Sequence, residues 1–210
     1  MSRARTTATA GAFAVLGGAL WTLVEYVMHR FAMHAPRGRG RISRDHLDHH
    51  ADPDATSAPL RALLYTVVAL PFLAAGWALG RIAPRYAAVA AGTYAGFAAY
   101  EQVHWRAHHR APSTRWSATA RQRHFAHHFG APTTNYGVTT NVWDHLFRTW
   151  RPPGVVAVPR RLAPSWMVDE HGRVQAAHAE RYRLVGSTDP HGRRAALDRA
   201  RAYADVAPAD

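Results

Sequence analysis

Cysteine is absent from this 210-residue chain. That excludes a disulfide framework, a thiolate metal site and a cysteine nucleophile, so any metal chemistry must use nitrogen or oxygen ligands. Lysine is absent too: the 26 basic residues are all arginine. Arginine and alanine in that excess suggest a GC-rich bacterial gene. Acidic residues are few, 14 in all, and the net charge is +12. Such a balance suits a nucleic-acid binder or arginine-rich loops beside an anionic membrane face. The mean hydropathy of -0.28 argues against a chain embedded in lipid throughout.

Charge is also scarce locally, and this separates the two basic readings. Thr9 to Met28 is nearly all apolar, with Glu25 close to its end. About 20 such residues span a hydrocarbon core of about 30 Å. Leu60 to Gly80 is a second expected span and tolerates Pro71 in a membrane setting. Ala83 to Val103 is a third, in which Gly92, Gly96 and Ala99 offer a close-packing face. Arg81 to Arg85 makes the last two a tight helical hairpin. The competing reading is three buried helices of a soluble bundle. Length and scarce interior charge favour the membrane, because a central Arg costs about 2.5–3.5 kcal/mol on insertion. The basic N-terminus resembles a signal peptide, but no small-residue cleavage site follows, and that reading is set aside.

Such a topology puts residues 29–59 and everything after 103 on one side, together with most of the arginines. The positive-inside bias makes that side cytoplasmic, in a bacterial inner membrane. Arg3, Arg5, Arg81 and Arg85 would then face outward; a re-entrant or interfacial first segment is the alternative. After Trp150, Arg151-Pro152-Pro153-Gly154 breaks the pattern. The expected organisation is a membrane domain over 1–150 and a polar, peripheral cytosolic tail over 151–210, with an amphipathic helix from about Arg193 to Ala204. The expected fold is all-α: an integral membrane helical bundle of about three to four membrane helices with a cytosolic, histidine-rich helical cap.

Histidine is what the chain has in excess, and 12 of the 15 lie between His29 and His145. All of these but His145 fall in four clusters: His29-x4-His34, His46-x2-His49-His50, His104-x3-His108-His109 and His124-x2-His127-His128. Residues three and four apart share one helix face, about 5–6 Å between Cβ atoms. Two imidazoles at that spacing can converge on one ion, and an H-x2-H-H triplet can serve two neighbouring ions. Imidazole suits Fe, Zn, Cu and Ni. A single pair of this kind is an ordinary surface or core feature; four clusters on one membrane face are not.

This order of clusters resembles the fatty-acid hydroxylase/sterol desaturase superfamily. Asn135-Tyr136-Gly137, followed by Trp143-Asp144-His145-Leu146-Phe147, is similar to the fatty-acid 2-hydroxylase branch. The resemblance covers about residues 15–150. It implies ten metal ligands: His29, His34, His46, His49, His50, His104, His108, His124, His127 and His128. Asp48, His109, Asn135, Tyr136 and Asp144 become candidate supporting residues, with a helix-surface charge as the other reading of Asp48. No catalytic side chain beyond the ligands is expected. His145 reads as structural, and His171, His178 and His191 belong to the tail. Trp105, Phe125, Phe129, Tyr136 and Trp143 are candidate channel walls or, equally, core anchors.

The resemblance further implies a pair of metal ions, expected to be iron, with zinc able to occupy the same imidazoles in isolated protein. Its chemistry is O2-dependent attack on an unactivated C–H bond of a lipid, a fatty-acyl or sterol-like chain, ending in hydroxylation or desaturation. Larger family members carry an extra span or a fused cytochrome b5 domain. The expectation here is a separate electron donor, cytochrome b5-like or a ferredoxin with its reductase. A carotenoid ring hydroxylase is the alternative within the class. A histidine-rich membrane metal transporter or store is the alternative outside it, though the apolar spans lack the ionisable pathway it needs. No nucleic-acid partner is expected.

Overall fold

The computed structural model describes residues 3–54, 58–186 and 193–206, and leaves aside the side chains of 3–8, 58–65, 68 and 193–195. Among the described residues the chain divides into two compact units. One comprises residues 1–25 and 56–102, the other 26–55 and 103–210. The division does not follow residue 150.

The first unit is built from three long helices: α1 (Arg3–Val27), α3 (Ala58–Gly80) and most of α4 (Pro84–His109). α2 lies in the second unit. Proline opens α4 at the first helical position, where its missing N–H costs nothing. The tight α3–α4 hairpin is present as expected. Small residues set the approach of α1 to α4. A Cβ on Gly92 would stand 1.9 Å from the Ala14 carbonyl oxygen, and one on Gly96 would stand 2.6 Å from the Trp21 Cβ. Only glycine permits that contact. Ala99, expected on the same face, is exposed. Trp21 closes the contact edge-on to Phe97, with ring centroids 5.1 Å apart.

The outer surface of this unit is apolar. Val15 is 74 % exposed, Leu73 65 %, Trp77 69 % and Ile82 75 %. Among the described residues one stretch, Thr9–His34, is long and apolar enough to cross a membrane, and 22 % of its most apolar window is buried. Ala69–Gly80 is apolar but shorter. The expectation of three to four membrane helices is thus met by one on this criterion. Part of the second expected span, 60–65 and Val68, lies outside the described side chains. The third is rich in Ala and Gly, which offer little apolar surface.

The second unit holds the helix ends and connections that carry the histidines: α2 (Arg41–Ala51), the C-terminal end of α4, α5 (Arg115–Phe129) and α6 (Val142–Leu146). α5 starts at a capping box in which Thr114 and Ser117 satisfy each other's backbone N–H groups. The expectation of an all-α fold needs correction. Strands β1 (Val156–Pro159) and β2 (Tyr182–Val185) form a parallel pair with Val156 opposite Tyr182. The stretch after Trp150 is not peripheral either. Val158 and Met167 are fully buried, and with Trp166 and Tyr182 they pack on Phe125 and Phe129 of α5. Strands of four residues are too short for alternation to reveal them; packing on α5 stabilises them. Helix α7 (Arg193–Tyr203) follows, where an amphipathic helix was expected, and packs on α2. His191 lies outside the described residues.

Candidate metal centre

His29 and His34 are five residues apart, and an α-helix would splay them by about 140° around its axis. The chain solves this by widening. Met28–His34 is a π-helical turn running on from α1, and the Ala35 N–H bonds back five residues to the Arg30 carbonyl at 3.0 Å. An i→i+5 repeat returns His34 to the face of His29. Gly38 N–H donates to Ser43 Oγ (2.9 Å) and Ser43 Oγ donates to the Met33 carbonyl (2.6 Å), tying this turn to α2.

The ten imidazoles come together as two groups of five. His29, His34, His46, His50 and His127 form the first. His49, His104, His108, His124 and His128 form the second. Within each group one nitrogen per ring lies within 4.8 Å of the others. The two triplets divide reciprocally. On α2 the i,i+4 pair His46 and His50 serves the first group and His49 the second. On α5 the i,i+4 pair His124 and His128 serves the second and His127 the first. The groups adjoin: His50 and His128 stack with centroids 3.9 Å apart and ring planes 2° from parallel.

The donor chemistry fits a cation in each group. A carbonyl oxygen only accepts. His29 Nδ1 on the Tyr136 carbonyl (2.5 Å) and His127 Nδ1 on the Thr134 carbonyl (2.7 Å) therefore carry hydrogen, and their Nε2 atoms present lone pairs. His46 Nε2 faces three other Nε2 atoms, those of His29 at 3.1 Å, His34 at 2.9 Å and His50 at 3.1 Å. One hydrogen cannot serve three such contacts, whereas one metal ion can. In the second group His108 and His124 Nε2 are 2.9 Å apart. There the buried Nδ1 atoms of His124 and His128, and Nε2 of His128, have no hydrogen-bond partner among the described residues. Burial first, and repulsion among the imidazoles second, holds His46, His50, His108, His124 and His128 well below the ordinary histidine value. His127 is lowered by burial and by His29 and His34. Neutral imidazoles are what a metal needs.

The expected supporting residues separate. Tyr136 is buried with its ring against the first group, 5.6 Å from the His29 ring and 5.5 Å from those of His34 and His127. Its hydroxyl is pushed up to about 12 by burial and by Asp205. Asp144 reaches no imidazole. It accepts from the N–H groups of Tyr136 and Gly137, both at 2.8 Å, and from Thr149 Oγ1 at 2.7 Å, and so holds the loop that presents the Tyr136 carbonyl to His29. Asn135 takes the left-handed conformation at φ 55° and accepts from the Arg151 N–H. A Cβ on Gly137 would meet the Thr140 carbonyl oxygen at 1.9 Å. Each residue of the Asn-Tyr-Gly motif thus has a geometric reason. His109 belongs to neither group and sits by Asp54 and Trp105. Asp48 accepts from Arg199 (2.8 and 3.0 Å) and Tyr203 (3.0 Å) of α7. His145 stacks on Trp150 at 4.7 Å, as a structural residue would. Of the aromatics, Phe125 and Phe129 are core.

Local spacing does not show Asp205, which accepts from His34 Nδ1 at 2.6 Å across 171 residues of sequence. It also does not show Arg121 or Arg123. Buried Arg121 donates to the carbonyls of Arg106, Arg110 and Ser117 at 3.0 Å each, closing the end of α4. Arg123 donates to the Gly137 and Val138 carbonyls and holds their loop on α5. Two openings adjoin the groups. A cavity of about 390 Å³ is bordered by Arg30, Phe31, Tyr136 and Asp205 beside the first. One of about 230 Å³ is bordered by Asp52, His108 and Ser165 beside the second.

Paired five-histidine groups at the ends of long helices define a class: a helical protein with two adjoining all-nitrogen sites, each able to hold a metal ion. More narrowly, this chain belongs to the fatty acid hydroxylase family, whose model matches residues 14–149. It is 28 % identical over 167 residues to dihydroceramide fatty acyl 2-hydroxylase FAH2 of Arabidopsis thaliana, covering 76 % of this chain and 68 % of that protein. It is 31 % identical to ceramide very long chain fatty acid hydroxylase scs7 of Schizosaccharomyces pombe, over 67 % of this chain but 42 % of that one. A solved structure titled full-length scs7p, with only the hydroxylase domain visible, aligns with TM-score 0.55 and 27 % identity, over 69 % of this chain and 57 % of that chain.

Proposed function

We propose that the protein is a membrane-bound oxygenase that hydroxylates a C–H bond of a lipid acyl chain at two metal ions held by the ten histidines. The carrying observation is the convergence of one ring nitrogen from each of ten histidines in two adjoining groups, with two Nδ1–H groups committed to backbone carbonyls. Family membership and relatives named as fatty acid and ceramide hydroxylases favour this activity over carotenoid oxidation or metal transport. Exposed apolar side chains on the first unit favour a lipid environment, since soluble surfaces rarely carry such patches. Arginine-rich connections around the histidines favour the cytoplasmic face.

Two bound redox ions, expected to be iron, supply the O2 activation that acid–base side chains cannot. The chain's own share is geometric. The carbonyls of Tyr136 and Thr134 fix the tautomers of His29 and His127, and Asp144 holds the Tyr136 loop in place. Burial keeps His46, His50, His108, His124, His127 and His128 neutral and water scarce, which strengthens their ligand contacts. Electrons come from a separate cytochrome b5-like or ferredoxin-type protein.

The test is metal analysis with Mössbauer spectroscopy on anaerobically purified protein, joined to mass spectrometry of lipids from hosts making acyl lipids and hosts making carotenoids. About two irons per chain and a hydroxylated acyl product are expected. No bound iron, and no activity on adding it, would turn the reading to transport; a hydroxylated carotenoid would turn it to ring oxidation.

A further inference from the structure

The first histidine group is completed from outside the family match. Residues 14–149 carry all ten histidines. The chain then brings α7 back onto α2, where Arg199 and Tyr203 bond to the Asp48 carboxylate. The fit is close: a Cβ on Gly38 would stand 2.6 Å from the Tyr203 ring. A second anchor is the buried pair of Asp198 with Arg161. Just past the helix, Asp205 adopts the left-handed conformation at φ 59° and turns its carboxylate onto His34 Nδ1 at 2.6 Å.

We infer that Asp205 is a positioning residue for the first metal site, and that through it the C-terminal helix sets the affinity of that site. This rests on the ten-histidine reading of function. A carboxylate accepting from the far nitrogen of a metal-binding imidazole fixes the tautomer, fixes the ring and raises its basicity. With Asp205 on His34 and carbonyls on His29 and His127, three of the five rings of the first group are locked this way. The same carboxylate borders the cavity of about 390 Å³, so the contact stands beside an opening.

The experiment strips the full-length protein of metal in detergent, then titrates it anaerobically with Co(II) and Fe(II). Stoichiometry and the Co(II) visible spectrum are followed, with no activity readout. Wild type should bind about two ions per chain. Asp205→Ala should weaken one of them by about 10- to 100-fold, leave the other in place and change the spectrum of the weakened ion. Asp205→Asn keeps an acceptor oxygen and should recover most of the affinity. Thermal melts of the metal-free variants follow folding. An Asp205→Ala isotherm that matches wild type overturns the inference. Loss of both ions together with a lowered metal-free melting temperature, unrelieved in Asp205→Asn, makes Asp205 merely structural and also overturns it. Wild type that binds no metal at all sinks the functional reading instead.

Discussion

The two histidine groups have five imidazoles each and sit among different neighbours. Hydrogen bonds hold the first: its outer nitrogens reach the Tyr136 and Thr134 carbonyls and the Asp205 carboxylate. The second leans on aromatic packing. His108 lies 5.4 Å from the Phe125 ring and His128 5.6 Å from Phe129, while the Trp166 indole donates to the His108 carbonyl at 3.2 Å. Ligand geometry can therefore be supported by directed polar contacts from loops or by the shape of a core. The first group should be sensitive to loop and tail changes, the second to cavities in the core.

The strongest way to break this contrast is to remove one ligand from each side. His46→Ala and His108→Ala should each lower hydroxylation by more than about 100-fold, exceeding the effect of losing an outer partner. Metal analysis should show about one ion fewer per chain in each case. Loss of both ions from either variant would mean a single cooperative cluster. Acid is the next lever. In the metal-free protein the lowered histidines take up protons less readily folded than unfolded. Stability should thus be full above about pH 6.5, the unfolded value, and fall as pH drops below it, by up to about 1.4 kcal/mol per pH unit per ring. Denaturant melts at several pH values, with and without metal, measure this; bound metal should flatten the slope. A flat metal-free profile would contradict the burial of these rings.

Two core changes then sharpen the comparison. Trp166→Ala empties the packing beneath the second group and should cost about 3–5 kcal/mol in denaturant unfolding. Metal loss in that variant should come from the second site first. Asp144→Ala leaves the Tyr136 and Gly137 N–H groups and the Thr149 hydroxyl without their acceptor and should cost about 1–3 kcal/mol. Its metal loss should come from the first site, because the loop it frees carries the His29 acceptor. The same site losing metal in both variants would erase the distinction.

The histidine clusters were legible in the sequence because helical spacing is local. H-x2-H-H on α2 and α5 places three imidazoles within two turns whatever surrounds them. The H-x4-H spacing of His29 and His34 was legible only as a pattern, since an α-helix would not bring those rings together and the π-helical turn does. The Asn135-Tyr136-Gly137 motif was visible as a likeness, and its geometry became clear only with Asp144 in place. Asp48 read from the sequence as an imidazole acceptor or a helix-surface charge; its contacts with Arg199 and Tyr203 of α7 lie about 150 residues away and leave no local signal.

What the sequence by itself determined is the chemistry: no thiolate anywhere, eight imidazoles at α-helix-compatible intervals with two more five residues apart, and one stretch long and apolar enough to cross a membrane. Those properties depend on residue type and on separations of a few residues. Only the tertiary structure decided how the ten divide five and five, that two short strands from a polar stretch roof α5, and that Asp205 meets His34. Contacts across tens of residues or more leave no local period to read, and they form only because helix packing and buried hydrogen bonds offset the entropy of bringing distant segments together.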